Sequence, residues 1–178
     1  LVLFITYWHG QTDLIPVVLF VYSLSLLRKK NFAVAGIFIS LAIMAKHSML
    51  ISLPFVFIYI LKQRVPLSVL KNFVIYFLIF FLIIEAPFFL SESFQIMVLG
   101  NREVEKIYWM TIKMGKENLI YLTILVYLIL LYFFFRIRRI NFDLLVASMG
   151  VGFSIIILMT PSSPGWYLWV VPMLTLHQ

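Results

Sequence analysis

Apolar runs of similar length, divided by short polar breaks, make up nearly the whole chain. The runs fall at 14–27, 32–45, 48–61, 72–90, 119–135 and 144–160. A helix needs roughly 20 residues, at about 1.5 Å rise each, to cross some 30 Å of hydrocarbon. Run 72–90 meets that length. The two runs after it come close, whereas each of the first three covers only about 21 Å. The breaks are distinctive. Arg28-Lys29-Lys30, Lys62-Gln63-Arg64 and Arg136-Ile137-Arg138-Arg139 are basic. Lys46-His47 is a lone polar pair, and 91–117 is a long segment of mixed charge. Pro161-Ser162-Ser163-Pro164-Gly165 stops a helix, with two prolines and a glycine.

The cations predict the path. If 32–61 were one helix, Arg28, Lys29 and Lys30 would lie opposite Lys62, Arg64 and Lys71, and neither side would be the positive one. If the chain reverses at Lys46-His47, then Arg28, Lys29, Lys30, Lys62, Arg64, Lys71, Arg136, Arg138 and Arg139 share one side, opposed only by Asp143. Cytoplasmic loops carry an excess of Lys and Arg, so the charge pattern favours a helical hairpin and labels the basic side cytoplasmic. Loops at about 6–13, 91–117 and 161–167 then lie on the extracytoplasmic side. Asp13 and Lys46 each stand one short run above a basic cluster, at similar depth and below the outer surface. Charge at that depth calls for a wet cavity or a partner, so the expected architecture is an all-α polytopic bundle with an outward-facing cavity. Gly36, with Ala33, Ala35, Ala42 and Ala45, suits close helix packing in the first hairpin arm.

Composition agrees with a membrane protein. Of 178 residues, 63% are hydrophobic and 12% charged, against about half and a quarter in soluble domains. Mean hydropathy is +1.07. The net charge of +7 does not point to nucleic acid, because the bases sit in short clusters between apolar runs. Cysteine is absent, which excludes disulfides and thiolate metal sites. The five apolar residues at the start lack a basic flank, so they do not read as a signal peptide. The short apolar segments at both ends are the pattern expected inside a larger multi-pass protein, here treated as a single transmembrane unit over 1–178.

Several residues invite chemistry. Asp13 and Lys46 form either a structural ion pair or a site where Lys46, with His47, meets a phosphate while Asp13 orients a sugar hydroxyl. The spacing favours the pair. His9, His47 and Asp13 leave room for a divalent cation, though no spacing demands one. Glu85 near the outer end of its run reads as a carboxylate reaching the interface, with a cavity role as the sharper alternative beside Pro87. Segment 91–117 reads as an interfacial amphipathic helix, with Arg102 or Lys106 as anion contacts in the functional alternative. Trp166, Tyr167 and Trp169 read as an interfacial aromatic belt or as flat surfaces for a sugar ring.

Three segments carry a resemblance. Gly10-Gln11-Thr12-Asp13-Leu14-Ile15-Pro16 leads into a helix and a basic turn. Ala35-Gly36 continues through Leu41-Ala42-Ile43-Met44-Ala45-Lys46 to a helix holding Pro54. Ser163-Pro164-Gly165-Trp166-Tyr167-Leu168-Trp169-Val170-Val171-Pro172 closes the series. Together these resemble polytopic membrane glycosyltransferases of the GT-C fold, especially the mannosyltransferase-like branch. The resemblance implies transfer of a sugar from a polyprenyl- or dolichyl-phosphate donor to a glycan, lipid or protein acceptor on the extracytoplasmic face. The enzyme would sit in a prokaryotic plasma membrane or the endoplasmic reticulum. By the same resemblance Gln11 and Asp13 would shape the cavity, Lys46 would face the donor phosphate, and Trp166, Tyr167 and Trp169 would lie beside the sugar or lipid. The general base of such enzymes lies in a loop upstream of this sequence. His47 stands where many relatives carry proline.

Two other classes compete: a transporter or flippase of a lipid-linked substrate, and a non-catalytic assembly subunit. A transporter needs midplane polar groups on several helices. Runs 72–90 and 119–135 carry almost none apart from Glu85.

Overall fold

The computed structural model describes residues 13–115 and 117–176. Helix α1, Leu14–Arg28, is followed by α2, Phe32–Ala45. A 3-10 segment, His47–Ser52, leads to α3, Leu53–Lys62, and then to α4, Leu67–Phe89. Short helical pieces α5, Glu92–Phe94, and α6, Arg102–Glu105, precede the strands β1, Thr111–Met114, and β2, Asn118–Tyr121. Helices α7, Leu122–Arg136, and α8, Phe142–Met159, come next. A further 3-10 segment, Pro164–Trp169, and α9, Val171–Leu176, follow. The fold is mostly helical. Among the described residues two helices, α4 and α8, are long and apolar enough to cross a membrane.

The chain does reverse at Lys46-His47, and side-chain contacts fix the direction of each helix. Lys46 returns to Asp13 at the start of α1, so α1 and α2 are antiparallel. Gly36 lies against Phe73 and Phe77, while His47 meets Glu85, so α2 and α4 run parallel. In α3 the direction is opposite. The Tyr127 hydroxyl donates to the Ile51 carbonyl at 2.6 Å, and Gln63 donates to the Ile140 carbonyl at 2.8 Å. Between these, Phe55 packs edge-on against both Tyr127 and Phe134. Lys62 stands over the Phe135 ring at 4.7 Å, and Arg28 over the Phe142 ring at 5.6 Å. Arg28, Lys62 and Arg136 therefore share one end of the bundle, and Asp13, Lys46, His47 and Glu85 the other.

The two arms of the fold-back do not lie side by side. The first, α2, is sandwiched between α1 and α4. The second arm packs on α7 and α8. Its first turn is 3-10 rather than α, and Pro54 sits where α3 begins, at a position whose missing N–H costs nothing.

Local rules explain the basic end. Helix α1 finishes with the Lys30 N–H bonded to the Leu27 carbonyl and the Asn31 N–H to the Leu26 carbonyl, both at 2.9 Å. This is the Schellman arrangement. Lys30 occupies its left-handed position at φ 59°, where glycine is usual. Arg64 does the same after α3, at φ 53°. Both turns keep a cation at the helix C-terminus, where the macrodipole favours it. Asp143 sits in the first turn of α8, where a negative charge is favoured.

Segment 91–117 departs from the expected amphipathic helix. It breaks into short helical pieces, and β1 pairs antiparallel with β2, Thr111 opposite Tyr121 and Met114 opposite Asn118. Gly115 turns the hairpin at φ 72°, a conformation glycine adopts without strain. The all-α expectation is amended by this small sheet. Strand β2 takes the residues read as the start of a helix at 119, so α7 begins at Leu122. Helix α4 begins earlier than expected, at Leu67, and continues through Pro87.

Close approach of α2 to α4 depends on Gly36. A Cβ there would lie 2.7 Å from the Phe73 carbonyl oxygen, backbone that cannot move aside cheaply. Gly36→Ala is expected to destabilise the fold by about 1–3 kcal/mol, read from reversible unfolding in SDS. Wild-type stability in that variant would contradict the tight α2–α4 contact.

Candidate functional site

Asp13 occupies the N-cap of α1, yet its carboxylate accepts no capping bond. A capping side chain bonds the N–H of the second or third helical residue. Here the third is Pro16, which has no N–H to give. The carboxylate turns instead to Lys46 Nζ, forming a short ion pair through Oδ1. Asp13 is 3% exposed. Its other oxygen, Oδ2, has no partner among the described residues. The Lys46 side chain is 28% exposed and also stands over the Trp169 ring, 5.2 Å from its centroid. An ammonium over an indole face gains a further electrostatic attraction.

His47, the next residue, points to another helix. Its Nε2 lies 2.6 Å from Glu85 Oε1 of α4. Glu85 is buried, while the imidazole is about one-third exposed. The Phe94 ring meets the imidazole edge-on at 6.1 Å.

Beside this junction is a cavity of about 920 Å³. Lys46, His47 and Ser48 line it at the fold-back, with Ile124 and Tyr127 from α7 and Ile156 and Thr160 at the end of α8. Trp166 and Trp169 contribute from the 3-10 segment, stacked on each other with ring centroids 5.1 Å apart. Residues 97–107 cover the cavity, presenting Asn101, Glu103 and Lys106. Glu103 and Lys106 are paired at 2.7 Å. Most lining side chains are apolar, and the charged groups gather at the fold-back and under the cover.

The expected site residues meet different fates. Lys46, His47, Trp166 and Trp169 come together at the cavity. Asp13 lies behind Lys46 and holds it. Tyr167 is 46% exposed and is not among the cavity-lining residues, so the three aromatics do not form one surface. Gln11 lies outside the described residues, as does His9, which the divalent-cation reading requires. Among the described residues no three His, Asp or Glu side chains group as metal ligands. Of the two expected anion contacts in 91–117, Lys106 reaches the cavity and Arg102 does not. Sequence reasoning missed Tyr127, which the run 119–135 does not distinguish from its other hydroxyl residues, Tyr121, Thr123 and Tyr132. It also missed the partnership of Glu85 with His47.

Comparison with family models, curated proteins and solved structures gives no match to this chain.

The Asp13–Lys46 pair is more sheltered than a surface ion pair, whose coupling is typically about 0.2–1 kcal/mol. A double-mutant cycle with Asp13→Asn and Lys46→Met is expected to give a coupling of roughly 1–3 kcal/mol. Additive effects would show that the two side chains do not stabilise one another.

Proposed function

We propose that this protein is a multi-pass membrane glycosyltransferase. It moves a sugar from a polyprenyl- or dolichyl-phosphate donor to a hydroxyl of a glycan, lipid or protein on the extracytoplasmic face. The observation that carries the reading is Lys46, a cation held by Asp13 and Trp169 at the wall of a largely apolar cavity at the end of the bundle away from the basic clusters. Apolar walls suit the start of a lipid chain. A departing lipid phosphate needs a cation to stabilise its charge, and an ammonium in a sheltered cavity acts more strongly on it than one in open water. Asp13 fixes the ammonium in place and leaves two of its three N–H donors for a ligand. The stacked Trp166 and Trp169 offer an aromatic wall to a pyranose.

Membrane placement in this reading follows the charges. The end bearing Arg28, Lys62 and Arg136 faces the cytoplasm by the positive-inside rule, and the cavity opens to the other side. The exposed apolar flank of α4, which includes Leu78, Leu82 and Ile83, meets hydrocarbon.

The Asp13–Lys46 pair also favours a second reading, in which both residues serve only as a clasp. The two separate in one experiment. On the first, Lys46→Ala inserts and folds but loses transfer from polyprenyl-phosphate mannose by at least about a hundredfold, and binding of polyprenyl phosphate weakens with it. On the second, the folded fraction of Lys46→Ala binds polyprenyl phosphate as the wild type does. Wild-type transfer by that variant would end the donor-phosphate assignment.

A further inference from the structure

The pair formed by His47 and Glu85 has a geometry that a simple clasp does not require. Glu85 is buried at the polar end of α4, and its Oε1 is 2.6 Å from His47 Nε2. A carboxylate accepts hydrogen bonds, so Nε2 carries the hydrogen and donates it. That leaves the lone pair of a neutral imidazole on Nδ1. This nitrogen has no hydrogen bond among the described residues, and the ring lines the cavity beside Lys46. A carboxylate that holds an imidazole in one tautomer, on a ring that lines a cavity, is an arrangement suited to taking up a proton.

We infer that His47 is the proton acceptor of the cavity and Glu85 its positioning residue. The inference rests on the sugar-transfer reading and deepens it by giving the acceptor's proton to a residue of this chain, in place of the upstream base that the family resemblance implies. The acceptor oxygen bonds to the anomeric carbon as the bond from that carbon to the phosphate oxygen breaks. The phosphate leaves with the electron pair, beside Lys46. The acceptor's hydroxyl proton passes to His47 Nδ1, and the Glu85 carboxylate offsets the imidazolium charge. The proton then passes to solvent.

The charged groups around His47 are accounted for. Lys46, adjacent in the chain, is paired with Asp13. Glu103 and Lys106, from the segment covering the cavity, are paired with each other. Phe94 supplies an apolar contact. Among the described residues, Glu85 is the one carboxylate bonded to the ring.

The test uses the full chain in liposomes, with polyprenyl-phosphate mannose as donor and an alkyl mannoside as acceptor. kcat and KM are measured between about pH 5 and 8, where histidine changes charge. His47→Gln is expected to lower kcat by about a hundredfold or more with little change in donor KM. It should also abolish the rise of kcat/KM with pH that an unprotonated base requires. Glu85→Gln should lower kcat in the same sense, with Glu85→Asp recovering part of it. Added imidazole should restore turnover to His47→Gly, which a purely structural histidine would not allow. If the wild type transfers sugar and His47→Gln keeps both its turnover and its pH profile, the proton-acceptor assignment is wrong and the sugar-transfer reading stands. If the wild type transfers nothing while binding no polyprenyl phosphate, both fall.

Discussion

Two adjacent polar contacts at the fold-back, an ion pair and a hydrogen bond, hold this structure in its path. Lys46 is extended, at φ −158° and ψ 110°, and successive side chains of extended backbone point in opposite directions. So Lys46 reaches α1 through Asp13, while His47 reaches α4 through Glu85. Each contact ties the same two-residue junction to a different helix. Without them, the sequence over 32–62 has no reason to break, because both arms are strongly apolar and only this pair interrupts them.

The remaining geometry follows from that junction. The reversal ends α2 at about 21 Å, and α1, bounded by Asp13 and the basic turn, is of similar length, about 22 Å. Helix α4, with 23 residues, is about 35 Å long. Long and short helices that start from a common basic end cannot finish at one level, so space remains beside the fold-back. Side chains of α7, α8 and the Trp166–Trp169 segment enclose that space, and residues 97–107 cover it. The hydroxyl of Tyr127 supports the floor by satisfying the Ile51 carbonyl, whose 3-10 turn leaves it short of a helical partner. Small residues set the lateral fit: Gly36 against α4, Gly150 against Met173 and Gly152 against Phe55.

The fold-back was legible because charge is asymmetric: nine cations fall on one side only if the chain reverses. The Asp13–Lys46 pair was legible because equal run lengths set both residues at one height. Other features left weaker traces. Glu85 and His47 are 38 residues apart, on elements whose rotation no amphipathic period reveals, so their meeting could not be read. The β-hairpin was hidden because Thr111 and Ile112 fit a strand as well as an interfacial helix, Ile120 falls in the apolar run 119–135, and the register rests on Gly115. Helical rotation also decided the aromatics. In a 3-10 segment residues three apart eclipse, which stacks Trp166 on Trp169 and turns Tyr167 away.

The distance between positions 29 and 62 tests the fold-back most directly, and the absence of cysteine makes it straightforward to measure. Spin labels on Lys29→Cys and Lys62→Cys, read by pulsed dipolar spectroscopy, avoid any assumption about a membrane. Helices α1 and α3 both pack on α8, through Phe20 against Phe153 and Phe55 against Gly152, so a separation near two helix spacings is expected, about 20 Å between axes plus the label arms. An uninterrupted helix through Lys46 would instead place them about 50 Å apart, and a distance near that value would contradict the reversal and the cavity beside it.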